Sequence, residues 1–266
     1  MLQNMYDPAA EGFSARMCAI DRCQVGLLRA LATHYSARLY LKGGMAMRAL
    51  FGSLRLTKDI DFERDPSLSN DSLRRALPKA LRAAALSSTL QAPRVSITKD
   101  TGTTIRASLA ATLKETGEPV QYEVEISGRG LPPAECLVRL NLIPPIAYRM
   151  TQFGVSSFNA HAMAASKVAA LHSDNRRVPR DIFDLSDLIA QGANPVALLA
   201  RADPQWLKAI SGKTIERTGA TGWDRANEEV LPYLPISVRR ALNSAAWEDM
   251  CLRVAKTVDA WLKHAQ

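Results

Sequence analysis

Aromatic residues make up only 6% of this 266-residue chain, and its four cysteines, Cys18, Cys23, Cys136 and Cys251, are scattered. No Cys-x-x-Cys occurs and no histidine stands at zinc-ligand spacing beside them, which excludes a zinc module and a disulfide scaffold; the thiols read as small apolar side chains in a reducing cytosol. No apolar run reaches the roughly eighteen residues that a membrane helix needs. The opening MLQNMYDPAAEGF has no basic stretch followed by an apolar one, so no export signal is expected and a cytoplasmic location is. Internal repeats, low-complexity tracts and a helix-turn-helix pattern are also missing, which removes repeat arrays and a ready-made DNA-reading module from consideration.

What is present is an ordinary globular composition, 47% hydrophobic and 23% charged, with Leu and Ala prominent enough to favour helix. The length suits one large domain or two modest ones. A formal charge of +8 implies attraction to polyanions without choosing among nucleic acid, nucleotides and anionic surfaces.

The stretch 39–62, LYLKGGMAMRALFGSLRLTKDIDF, holds the most chemistry. It reads as a strand over 37–41, a diglycine turn opening a short helix, a basic loop, and a second strand. Gly43 and Gly44 have no Cβ, so backbone can approach a phosphate closely, and the first N–H groups of the following helix point at an anion. Asp59 and Asp61 are two apart on the strand, so both carboxylates leave one face while Ile60 and Phe62 enter the core. A phosphate cradle beside paired hard oxygen ligands describes a metal-nucleotide site. Arg55 and Lys58 either balance a triphosphate there or pair with neighbouring carboxylates and solvent.

Around this stretch, Met17, Ile20, Leu27, Leu28 and Leu31 make a helical stripe over 11–34, and Leu73, Leu77, Leu81 and Leu86 another over 69–87, with Arg74, Arg75, Lys79 and Arg82 on its other side. Strands over 94–98, 103–113 and 120–127, separated by turn chemistry, predict an antiparallel meander. The last carries Glu123 and Glu125 on one face. Prolines and glycines over 128–145 surround one short apolar run, 136–142, after which the pattern becomes helical. A helix carries Met163, Lys167, Val168 and Leu171; another opens at Pro179 with Asp181 in its first turn. Trp206, Trp223, Tyr233 and Trp247 are the expected packing anchors of a helical tail.

Two blocks carry a family resemblance. Lys42-Gly-Gly-x-Ala-x-Arg followed by Thr-x-Asp-Ile-Asp-Phe, and A-S-K-V-A-A-L followed by R-D-I-F-D-L, resemble the signatures of the AbiEii/AbiGii toxin family, nucleotidyltransferases of the minimal DNA polymerase β fold. Where that family usually has Ser or Thr after the diglycine this chain has Met45, leaving the backbone donors to hold phosphate. The resemblance implies an α/β (α+β) nucleotidyltransferase core with a mixed sheet over 1–150 and a mainly helical domain over 151–266 that completes the active-site cleft. It implies nucleotide contacts from Lys42, Gly43, Gly44, Arg55, Lys58, Lys167 and Arg180, and Mg²⁺ or Mn²⁺ held by Asp59, Asp61 and a third carboxylate, Glu125 before Glu123. Lys167, Asp181 and Asp184 join the catalytic set: the lysine reaches the β- and γ-phosphates as a point charge, and the carboxylates orient it or hold the linker arginines. The same residues also read as an ion-pair cluster joining two helices. By resemblance the activity is metal-dependent transfer of NMP from an NTP to a hydroxyl, at the tRNA 3′ end, by a bacterial toxin neutralised by a separately encoded antitoxin. The alternatives are a small-molecule or protein acceptor, and a non-catalytic binding protein with a vestigial site.

Overall fold

The computed structural model describes residues 2–86, 88–173 and 178–266. It divides into two compact units, Met1–Gly52 with Leu56–Phe158, and Ser53–Arg55 with Asn159–Gln266.

The first unit is built on an eight-stranded mixed sheet in the order β1-β7-β8-β2-β3-β6-β5-β4. Its strands are β1 (Leu2–Asn4), β2 (Leu39–Lys42), β3 (Asp59–Arg64), β4 (Leu90–Asp100), β5 (Thr104–Leu113), β6 (Pro119–Ser127), β7 (Leu137–Ile143) and β8 (Phe153–Phe158). β2 runs antiparallel to β3, β3 parallel to β6, and β4 to β6 form the expected antiparallel meander. Helices α1 (Ala15–Tyr35), α2 (Gly43–Leu50) and α3 (Asn70–Leu86) belong to this unit. Ser14 caps α1 by accepting from the Met17 N–H at 3.3 Å, and Ile20, Leu27, Leu28 and Leu31 of the expected stripe are buried. Leu73, Leu77 and Leu81 are buried on α3, whereas Leu86 at its end is exposed. The basic side chains of α3 all face solvent.

β1 has no counterpart among the expected strands, and two further strands depart from expectation. β4 begins at Leu90, before Pro93; the register shifts between Gln91 and Arg94 and Ala92 takes a positive φ of 49°, so a bulge on this sheet-edge strand absorbs a residue with no N–H to offer. β8 is hidden in the sequence because it carries Gly154, Ser156 and Ser157. Burial is tolerated because the Ser157 hydroxyl donates to the Leu41 carbonyl at 2.7 Å.

The second unit is helical: α4 (Ala160–Leu171), α5 (Val178–Ala190), the short helices α6 (Val196–Leu199), α7 (Pro204–Ile210), α8 (Thr214–Gly219), α9 (Trp223–Glu229) and α10 (Ile236–Ala241), and the long α11 (Ser244–Ala265). Asn159 caps α4 through the Ala162 N–H. Phe183, Val230, Leu234 and Leu242 form a core against which Trp223 packs. Trp247 is 1% exposed, and its indole N–H reaches the Thr221 carbonyl at 2.9 Å. Trp261 of α11 is a further buried anchor absent from the expected set. Among the described residues no helix is long and apolar enough to cross a membrane. The linker arginines Arg176 and Arg177, and Ser87 at the end of the expected second stripe, lie outside the described residues.

Candidate active site

Strand alternation places the acidic pair. Ile60 and Phe62 are buried while Asp59 and Asp61 remain half-buried on the other face of β3. In the parallel register, Asp59 lies opposite Glu123 and Asp61 opposite Glu125; on the other side Lys42 of β2 lies opposite Asp61. Four carboxylates on two adjacent strands therefore share one sheet face.

The diglycine turn meets this face directly. Gly43, the first residue of α2, has φ +66°, and a Cβ placed on it would stand 2.2 Å from Oδ2 of Asp61. The N-cap residue of α2, Lys42, makes no side-chain cap hydrogen bond. Met45 is fully buried and contributes to the core. At the other end of α2, Arg48 is fully buried: it donates to Asp21 of α1 at 3.1 Å and to the Tyr6 carbonyl at 2.8 Å, with the Tyr6 ring 3.7 Å away. This pair, with Tyr148 donating to the same Asp21 oxygen, fixes the helix that carries the diglycine.

Several expected ligands are engaged elsewhere. Lys42 donates to Glu63 at 2.7 Å and to Ser127 at 2.6 Å. Glu63 is 2% exposed and also accepts the N–H groups of Arg129 and Gly130. Burial would raise its pKa, but Lys42, Ser127 and Gly130 together hold it below the ordinary carboxylate value. Glu125 accepts two donations from Arg106, at 3.0 and 2.6 Å, and Glu123 lies 3.7 Å from the same guanidinium. Lys58 is exposed beside Asp59.

In the helical unit, Arg55 is not near solvent but buried, with three donations to Asp184 at 2.9–3.0 Å. Lys167, 6% exposed, sits 2.9 Å from Asp181 and 2.5 Å from Asp184. Burial pushes the Asp184 pKa up, yet the two cations overcome it and hold the carboxylate ionised. Arg55 and Lys167 thus form, with Asp181 and Asp184, an interior cluster in which two cations share two carboxylates. Arg180 is likewise taken up, donating to the Glu229 carbonyl at 3.2 Å with its guanidinium 5.0 Å from the Tyr233 ring.

Sequence reasoning missed Arg106, Glu63 and Ser127. The first was within reach: strand alternation in the meander puts Arg106 on the same face as Glu125. A cavity of about 830 Å³ in the first unit, lined by Arg22, Gly26 and Arg29 of α1 with Met150 and Thr151, contains none of the expected site residues.

Among the described residues no group of three or more His, Cys, Asp or Glu is gathered to hold a metal. Two hard carboxylates nevertheless fit Mg²⁺, which commonly takes one or two protein carboxylates and completes its shell with water and substrate phosphate.

A mixed sheet with a diglycine turn against an Asp-x-Asp strand, followed by a helical region, is a nucleotidyltransferase core. The chain belongs to the AbiEii family: the model described as nucleotidyl transferase AbiEii toxin, type IV TA system, matches residues 26–261. Its fold is similar to the crystal structure of JHP933 from Helicobacter pylori (TM-score 0.65, 17% identity, 95% of each chain covered). It is also similar to that of a candidate nucleotidyltransferase from H. pylori (TM-score 0.62, 17% identity, 96% of this chain and 99% of that one). No curated protein matches the chain.

Proposed function

We propose that this toxin-family nucleotidyltransferase moves a nucleoside monophosphate from an NTP to the 3′ hydroxyl of tRNA in the bacterial cytoplasm, with Mg²⁺ or Mn²⁺, under control of a separately encoded antitoxin. The observation that carries the reading is Gly43, whose bare backbone lies against the Asp61 carboxylate at the start of α2. That contact joins a phosphate-binding turn to a metal-binding carboxylate within one side chain's reach.

In this reading Asp59 and Asp61 would hold the divalent ion, which when bound supplies charge neutralisation of the triphosphate. Gly43 and Gly44 receive phosphate oxygens on backbone N–H groups. The acceptor oxygen forms its bond to the α-phosphorus as the bond to pyrophosphate breaks, and the hydroxyl proton passes to Glu125. Arg55, Lys167, Asp181 and Asp184 serve as the framework of the helical unit.

The test is label transfer from each of the four α-³²P NTPs to total RNA with Mg²⁺, resolved on a gel. Labelled tRNA is the expected product, and Asp61→Ala should abolish it without loss of helical circular dichroism. Absence of label in RNA with all four nucleotides would overturn the tRNA reading.

A further inference from the structure

Arg106 on β5 has its guanidinium between two carboxylates of β6. Nε and Nη2 donate to Oε2 of Glu125 at 3.0 and 2.6 Å, and Nη1 lies 3.7 Å from Oε2 of Glu123. Arg106 and Glu125 are direct partners in the β5–β6 register, while Glu125 and Asp61 are partners in the β3–β6 register on the other side. One carboxylate thus stands between two claims. Strands lie about 4.8 Å apart, so β3 and β5 flank β6 at opposite sides, and Glu125 leaning to one is drawn from the other. It is bonded to Arg106, and among the described residues no third carboxylate is gathered with the aspartates.

The pair is built to exchange. The Arg106 side chain is 38% exposed and that of Glu125 is 15% exposed, and ion pairs open to water are held weakly. A guanidinium fork matches phosphate oxygens as well as it matches a carboxylate.

Resting on the nucleotidyltransferase reading above, we infer that Arg106 is a phosphate-contacting residue held in reserve: without substrate it occupies Glu125, and with metal-bound triphosphate it exchanges that carboxylate for a phosphate oxygen. Glu125 is thereby released to the Asp59–Asp61 pair. Only hydrogen bonds and ion contacts change: the phosphate takes the place of Glu125 on the guanidinium, and no covalent bond is made or broken.

The exchange makes opposite predictions for metal and for triphosphate, which a merely structural cross-strand pair does not. Calorimetry would titrate Mn²⁺ alone, and then an α,β-methylene NTP in the presence of Mn²⁺, into wild type, Arg106→Gln, Glu125→Gln and the double variant. Arg106→Gln should bind Mn²⁺ alone about two- to five-fold tighter, the fold-change of one exposed ion pair released. It should bind the analogue about ten-fold more weakly, the loss of one charge-assisted contact. The metal gain should vanish in the double variant. Arg106→Lys, which keeps the charge but not the fork, provides a second folded comparison and should also weaken the analogue. A folded Arg106 variant with unchanged or weaker Mn²⁺ binding, or with unchanged analogue binding, overturns the inference while leaving the functional reading intact. Wild type that binds neither probe overturns both.

Discussion

At Gly43 any side chain would collide with Asp61, and at Gly52 none would. Both residues have positive φ, +66° and +64°, but nothing lies within 4 Å of where a Cβ on Gly52 would stand. Alanine at either position should cost about 1–2 kcal/mol of stability for the left-handed backbone. Only Gly43→Ala should also displace the Asp61 carboxylate and remove nucleotide transfer; urea melts and the label assay on the two variants separate strain from chemistry. A second residue carries a pH signature. Burial pushes the Asp187 carboxyl up to about 6, with Asp184 adding to the rise and Ser53 and Arg55 opposing it. The folded state then holds a proton that the unfolded chain has already lost between about pH 4 and 6, so this group's contribution falls as pH rises through that window. Asp187→Asn should be more stable than wild type by about 2 kcal/mol at pH 7. The difference should disappear near pH 4 in denaturant titrations. Glu63 and Asp184, whose pKa values are lowered, act with the opposite sign and lose their contribution on acidification.

Among elements, the join between α4, α5 and Ser53–Arg55 depends on ions rather than on apolar contact alone. Arg55 and Lys167 both meet Asp184, which is fully buried. Removing one partner of a buried pair leaves an uncompensated charge and costs about 3–5 kcal/mol. Arg55→Met and Lys167→Met should each lower stability by about that much in urea titrations, and because they share Asp184 the double variant should lose less than the sum. Strand elements obey a simpler rule. β3 shows the alternation that its sequence announces, with Ile60 and Phe62 inward and the aspartates outward. β8 does not, because it buries two serines, one of which, Ser157, is satisfied by the Leu41 carbonyl; no periodicity signals that. β4 runs beyond the expected 94–98 at both ends, and the bulge that admits Pro93 is a property of its pairing with β5.

For the whole molecule the excess of Lys and Arg, +8 in all, is the property that bears on the acceptor. An RNA held through several phosphates releases counterions, so its affinity should fall linearly on a log–log plot against salt, with a slope near one unit per phosphate contacted. Titrating labelled tRNA between 50 and 200 mM KCl, roughly the range over which such slopes are read, should show that steep loss. A flat profile would favour a small-molecule acceptor. The family reading was legible because each of its signatures is local: a diglycine before a helix, two aspartates at strand spacing, and a Lys helix followed by Arg-Asp-x-x-Asp each occupy one short stretch of chain. What local pattern determined was the meander, the helical second half, and the face on which Asp59 and Asp61 stand, since backbone period and Cβ sterics act between near neighbours; the mixed-sheet core followed from the family resemblance. What only tertiary structure decided was the pairing of charges. Arg55 finds Asp184 at a separation of 129 residues, Lys42 finds Glu63 and Ser127, and Arg106 finds Glu125 across a ladder. A cation's partner is set by which carboxylate folding brings within about 3 Å, and that distance is fixed by packing and register rather than by order along the chain.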